Sequence, residues 1–113
     1  MAKTLKTLLP SLKERKRYLV FEVISKSKDF SLEDIKKSIL DAEIFFLGLS
    51  GLSRAGLIFL EDWKNQRGIM RVSHKEVDAV KAGFCFVRKI NKEEVVLRSI
   101  GVSGILQKAR QLL

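Results

Sequence analysis

The apolar patterning of this chain predicts an α+β fold: an antiparallel four-stranded sheet with two helices on one face and a short terminal helix. Three observations carry that expectation. Short apolar stretches of strand length recur, the first with one alternating parity wholly apolar, spacing of three and four recurs in two longer ones, and polar or glycine-containing turns separate them. At 113 residues with 46% apolar content, the chain is expected to form one domain, residues 1–113, around one core.

The elements follow in order. Residues 1–17 form a basic N-terminal segment that runs directly into a strand. In that strand, Leu19, Phe21 and Val23 alternate with Tyr18, Val20, Glu22 and Ile24. Ser31, with Asp34 three residues on, reads as a helix cap. Leu32, Ile35, Ile39, Ala42 and Phe46 then recur at helical spacing, so a helix is predicted to about Phe45, broken by Gly48 and Gly51. Gly56 is expected to open a second strand, Leu57 to Asp62, joined by the Trp63–Gly68 turn to a third, Ile69 to Val72. Ser73 and Glu76 suggest another capping box, with a helix from His74 through Val77, Val80, Phe84, Val87 and Ile90. Asn91-Lys92 would end it, before a fourth strand, Val95 to Ile100. Ser103 is expected to cap a final helix, 103–112, through Ile105, Leu106, Ala109 and Leu112.

The order β-α-β-β-α-β plus a terminal helix is the split βαβ or ferredoxin-like plan. Its helix-free face would carry Glu22, Arg67, Arg71 and Arg98 among Val20, Ile24, Ile69 and Ile100. Half polar and half apolar, that face calls for a partial cover, either the terminal helix or a partner chain.

Net charge is +9, unevenly placed. Residues 1–17 carry +5, 18–63 carry −3, 64–75 carry +4, 76–94 are neutral and 95–113 carry +3. Positive charge gathered at both ends and in one central stretch points to a polyanion, with nucleic acid as the expected partner. One cysteine, Cys85, rules out an internal disulfide and a cysteine-based zinc site. The lone His74 leaves no histidine pair. No secretory signal is expected, and the apolar stretch 44–60 holds Arg54 and three glycines, which argues against a membrane span. A reducing cytoplasm fits this chain.

Four constellations bear on function. The run Lys13, Arg15, Lys16, Arg17 is either a solvated charge run or a phosphate-binding strip. Its one-sidedness and its recurrence at Arg67, Arg71, Lys75, Lys108 and Arg110 favour the second reading. Gly83-Phe84-Cys85-Phe86-Val87 imitates a base-stacking strand motif, but the helical spacing around it favours a helix, with Gly83 admitting close packing. His74 has no nucleophile or second base beside it in sequence, and Cys85 reads as a buried filler. Phe45, Phe46, Leu47 and Leu49 read as core under a loop or as a protein-contact surface.

Three motifs together resemble a known family. Leu9-Pro10-Ser11-Leu12-Lys13-Glu14-Arg15-Lys16-Arg17-Tyr18 before an apolar strand resembles the opening of archaeal ribonuclease P protein component 2. Gly68-Ile69-Met70-Arg71-Val72-Ser73 resembles that family's centre, and Arg98-Ser99-Ile100-Gly101-Val102-Ser103-Gly104-Ile105 its C-terminal signature. The stretch from Gly48 to Asn65 departs most from the pattern. The resemblance implies an α/β sandwich related to the RNA-recognition-motif fold. It also implies a subunit of the ribonucleoprotein endonuclease that removes 5′ leaders from precursor transfer RNA. There the RNA is the catalyst, magnesium serves the RNA, and this chain would bind no cofactor of its own. The implied partners are ribonuclease P RNA, precursor transfer RNA, protein component 3 (two copies of each in a heterotetramer) and the other ribonuclease P proteins. The motifs carry RNA contact onto Lys13, Lys16, Arg17, Arg71 and Lys108, while Arg15, Arg67 and Arg110 join by proximity in sequence. Rival readings are a ribosome-associated RNA-binding protein and an acylphosphatase-like enzyme. The second would need an arginine-bearing phosphate loop after the first strand, which Ser25-Lys26-Ser27-Lys28-Asp29-Phe30 does not supply.

Overall fold

The structure, a computed structural model, describes residues 15–26 and 29–113. Its elements are β1 (Lys16–Ser25), α1 (Leu32–Ala55), β2 (Ile58–Lys64), β3 (Arg67–Ser73), α2 (Val77–Gly83), β4 (Lys89–Ile90), β5 (Glu93–Ser103) and α3 (Leu106–Arg110). Two 3-10 turns, His74–Glu76 and Phe84–Phe86, flank α2. The α+β class and the antiparallel pairing hold. The expected four strands are corrected to five, in the order β2-β3-β1-β5-β4.

β1 occupies the middle because both its faces can be buried. Leu19, Phe21 and Val23 face the helices, while Val20 faces the other way. It pairs with β3, Lys16 opposite Ser73 and Glu22 opposite Arg67, and with β5, Tyr18 opposite Ser103 and Ser25 opposite Val95. Phe21 anchors the main core, its ring 6.2 Å from Phe59 and 6.3 Å from Phe84 in edge-on arrangements. Gly68, its partner on β3, is needed for that seat. A Cβ there would stand 2.6 Å from the Phe21 ring.

α1 begins as expected, with the Ser31 hydroxyl accepting the Asp34 N–H at 3.3 Å. It runs past the expected end, however. Only Gly48 leaves helical geometry (φ 72°, ψ 172°), and a second helical stretch continues to Ala55. Gly51 lies inside that stretch, buried, with Leu47 where its side chain would be. Gly56 starts no strand. It caps the helix in left-handed geometry, its N–H bonding the Leu52 carbonyl. The β2–β3 turn is Asn65-Gln66, both at positive φ, the pair of left-handed residues a two-residue hairpin requires. Gln66 is held there by its side-chain oxygen accepting Phe30 N–H and its carbonyl accepting Val23 N–H, each at 2.9 Å.

The second predicted helix is corrected most. Ser73 makes no side-chain cap bond, and its residue ends β3. The helix proper stops at Gly83, Phe84–Phe86 tighten into a 3-10 turn, and Val87 is extended. Val87 and Ile90 are buried as their spacing suggested, but Ile90 lies on β4. Asn91 and Lys92, expected to end a helix, are the positive-φ turn of the β4–β5 hairpin. Ser103 likewise caps no helix. It is the last residue of β5, its hydroxyl accepting Ile105 N–H and donating to the Ile105 carbonyl. α3 starts later, at Leu106, and lies on the sheet face away from the larger helices. Ala109 is buried against Val20 and Ile69, with Tyr18, Leu60, Ile100, Leu106 and Leu113 around it. The terminal helix is therefore the partial cover that this mixed face calls for.

Candidate nucleic-acid interface

The sheet register decides which basic residues meet. Lys16 lies opposite Ser73, Arg17 opposite Val72 and Arg71 opposite Tyr18, so all three cations share one end of the sheet. The Arg17 guanidinium reaches toward Gly104, just past β5, and donates to the Lys16 carbonyl at 3.1 Å. The Lys16 ammonium reaches toward Gly56 at the end of α1. Arg15 is exposed, and its carbonyl accepts the His74 N–H at 2.8 Å. The same carbonyl lies 3.0 Å from His74 Nδ1, which must therefore carry its proton. His74 thus ties the start of β1 to the exit of β3. At this end the Arg71 Nε and the Ser73 hydroxyl are buried without a hydrogen-bond partner. Lys13 lies outside the described residues.

Arg67 and Arg110 do not join this group. Arg67 is six register positions from Lys16, roughly 20 Å along the strands. Its Nε donates to Glu22 Oε2 at 2.7 Å and its Nη1 to the Leu112 carbonyl at 2.8 Å. Arg98 holds the other Glu22 oxygen at 2.8 Å. The hydrogen bond from Arg67, opposed by partial burial and helped by Arg98 and both charges, keeps the Glu22 carboxyl below its ordinary pKa. Arg110 bonds Asp62 at 2.9 Å. Lys108 is exposed on α3, beside inward-facing Ala109. Folding therefore gathers Arg15, Lys16, Arg17 and Arg71, leaves Lys108 on the outer side of the covering helix, and spends Arg67 and Arg110 on internal pairs.

A second surface lies at the kinked end of α1. Phe45 and Leu49 are each 75% exposed, Phe46 is exposed, and Leu47 packs partly against the core. Sequence reasoning missed that Phe86 completes this cluster, its ring 5.3 Å from Phe45 and 5.2 Å from Phe46. The 3-10 turn sends Phe84 inward and Phe86 outward, so the stacking-strand reading of this motif fails and the helical one stands in its coarse form. Cys85, expected as a buried filler, is exposed.

Also missed was Glu43. It is wholly buried, and neither carboxylate oxygen has a hydrogen-bond partner. It presses on Gly83, where a Cβ would stand within 2 Å of Glu43 Oε1. The signal was legible, since Glu43 falls four residues after Ile39 and beside Ala42, on the apolar stripe of α1.

Among the described residues no three His, Cys, Asp or Glu side chains cluster as a metal site, and no helix is long and apolar enough to cross a membrane. A small α+β domain with cations gathered at one sheet end and an exposed aromatic cluster elsewhere is a binding subunit in class. The chain matches the Rpp14/Pop5 family of ribonuclease P proteins over residues 17–113 and belongs to it. It is 35% identical to ribonuclease P protein component 2 of Thermococcus kodakarensis over 107 residues, covering 94% of this chain and 88% of that one. Against the component 2 of Methanosarcina mazei it is also 35% identical, covering 95% and 90%. A chain in the cryo-EM structure of yeast ribonuclease MRP shares the fold, with a TM-score of 0.67 at 12% identity over 88% of this chain and 86% of that one.

Proposed function

We propose that this chain is a protein subunit of ribonuclease P that holds the catalytic RNA in its working fold for removal of 5′ leaders from precursor transfer RNA. The observation that carries the reading is the meeting of Arg15, Lys16, Arg17 and Arg71 at one sheet end in a member of the Rpp14/Pop5 family. A folded catalytic RNA crowds phosphates together, and fixed cations relieve that repulsion without free magnesium. The chain contributes charge and position, and the RNA with its magnesium contributes the chemistry. The antiparallel order β2-β3-β1-β5, with β4 as an added edge, supports a ferredoxin-like or RNA-recognition-motif-like relationship. The Phe45–Phe46–Leu49–Phe86 cluster supports a docking surface for another ribonuclease P protein, with component 3 in a two-plus-two assembly as our proposal. A cytoplasmic setting belongs to the same reading.

The test is reconstitution with the RNA and the other protein components, scored for precursor cleavage at limiting magnesium. The double variant Lys16→Ala, Arg17→Ala is expected to raise the magnesium needed for half-maximal cleavage. It should also flatten the salt dependence of RNA binding by a log–log slope of roughly 1.5. An unchanged magnesium profile from a folded variant would remove this role from the pair.

A further inference from the structure

The seam between α1 and α2 contains a chemical oddity that RNA binding does not use. Glu43 projects from α1 against Gly83, the last residue of α2, and is 0% exposed. Both its oxygens are without partners. A carboxylate with two unmet acceptors in an apolar seam would be costly, whereas a neutral acid is tolerated more readily. The elements packed on α1 carry several titratable groups, of which only the cationic ones could compensate a carboxylate. These titratable groups are Asp78 and Lys81 on α2; His74, Lys75 and Glu76 in the first 3-10 turn; Cys85 in the second; Glu61, Asp62 and Lys64 on β2; Arg67 and Arg71 on β3; and Lys89 on β4. None of them hydrogen-bonds Glu43. Burial alone moves its carboxyl from the ordinary 4.5 up to about 8. Gly83 completes the geometry, since any side chain there would collide with the carboxyl group.

This seam lies directly under the exposed aromatic cluster. Phe45 and Phe46 follow Glu43 on α1, and Phe86 follows Gly83 by three residues, so the ring contacts bridge the two sides. We propose that Glu43 sits in the seam as an uncharged acid, and that its ionisation loosens α1 from α2 and parts Phe86 from Phe45 and Phe46. The aromatic surface is then a proton-sensitive one, assembled while Glu43 is neutral.

The sign follows from proton binding. Between pH 4.5 and about 8 the folded chain holds a proton on Glu43 that the unfolded chain has lost. Stability from this group is full below 4.5, falls as pH rises, and levels off above about 8. Within that window the unfolding constant should rise about tenfold per pH unit from this residue alone.

Denaturant unfolding of the wild type and Glu43→Gln across that window tests the idea, because the variant should lack this slope. Parallel pH curves for the two proteins would overturn it. If Glu43→Gln does not fold, the wild type still decides the matter. Infrared absorption of a protonated carboxyl should persist at neutral pH in the folded chain and vanish above about 8, together with NMR cross-peaks between Phe86 and Phe46. An ionised Glu43 at neutral pH, or cross-peaks unchanged above that pH, would refute the proposal.

Discussion

The two ends of the central strand handle positive charge in opposite ways. At the start of β1, Lys16 and Arg17 gather with Arg71 and Arg15, and among the described residues Arg15, Arg17 and Arg71 enter no salt bridge. Toward its other end, one carboxylate, Glu22, binds both Arg67 and Arg98, while nearby strand β2 uses Asp62 to hold Arg110. A formal charge of +9 therefore overstates what a polyanion can use. The clamped end also fastens the chain just past α3, since Arg67 donates to the Leu112 carbonyl and Asn65 to that of Leu113. Charge in a sequence becomes a binding surface only where folding leaves it without an internal anion.

Breaking the clamp should give the largest effect on stability. Glu22→Ala leaves two arginines facing each other and is expected to cost about 2–3 kcal/mol in denaturant unfolding, with RNA affinity nearly unchanged. Acid should act on the same group. Because the folded Glu22 pKa is lowered, its contribution is present above the ordinary 4.5 and fades as pH falls through the folded value, a loss that Glu22→Gln should not show. Arg110→Ala should cost less, about 0.5–1 kcal/mol, since its pair with Asp62 is partly open to water. Smallest of all should be the double change at Lys16 and Arg17, within about 0.5 kcal/mol in stability. That same double variant should show the greatest loss of RNA binding. A clamp variant that weakened RNA binding as strongly would erase the contrast between the two ends.

Much of this is legible in the sequence. The alternation of Leu19, Phe21 and Val23, the Ser31 cap and the hairpin around Asn65 follow from local chemistry, and the structure keeps them. What failed depended on partners distant in sequence. Arg67 and Arg110 look like Arg71 until the register sets Glu22 and Asp62 beside them. Ile90 continues a helical spacing, yet the left-handed pair Asn91-Lys92 turns it into an edge strand of two residues, too short to show a period. Glu43 and Gly83 are each odd on a helix face, and neither explains itself alone. Only their contact does.

The placement of β1 also sets an order of events in time. The two cations that Glu22 holds come 45 and 76 residues after it along the chain. At a ribosomal rate of about 5–20 residues per second, the strand waits roughly 4 to 15 s before its last neighbour has been made. Late in that interval, once residue 73 is made, Leu19, Phe21 and Val23 have α1 and the β2–β3 hairpin to collapse upon, while the edge that meets β5 stays unpaired. The first strand to be synthesised is thus the last to be finished.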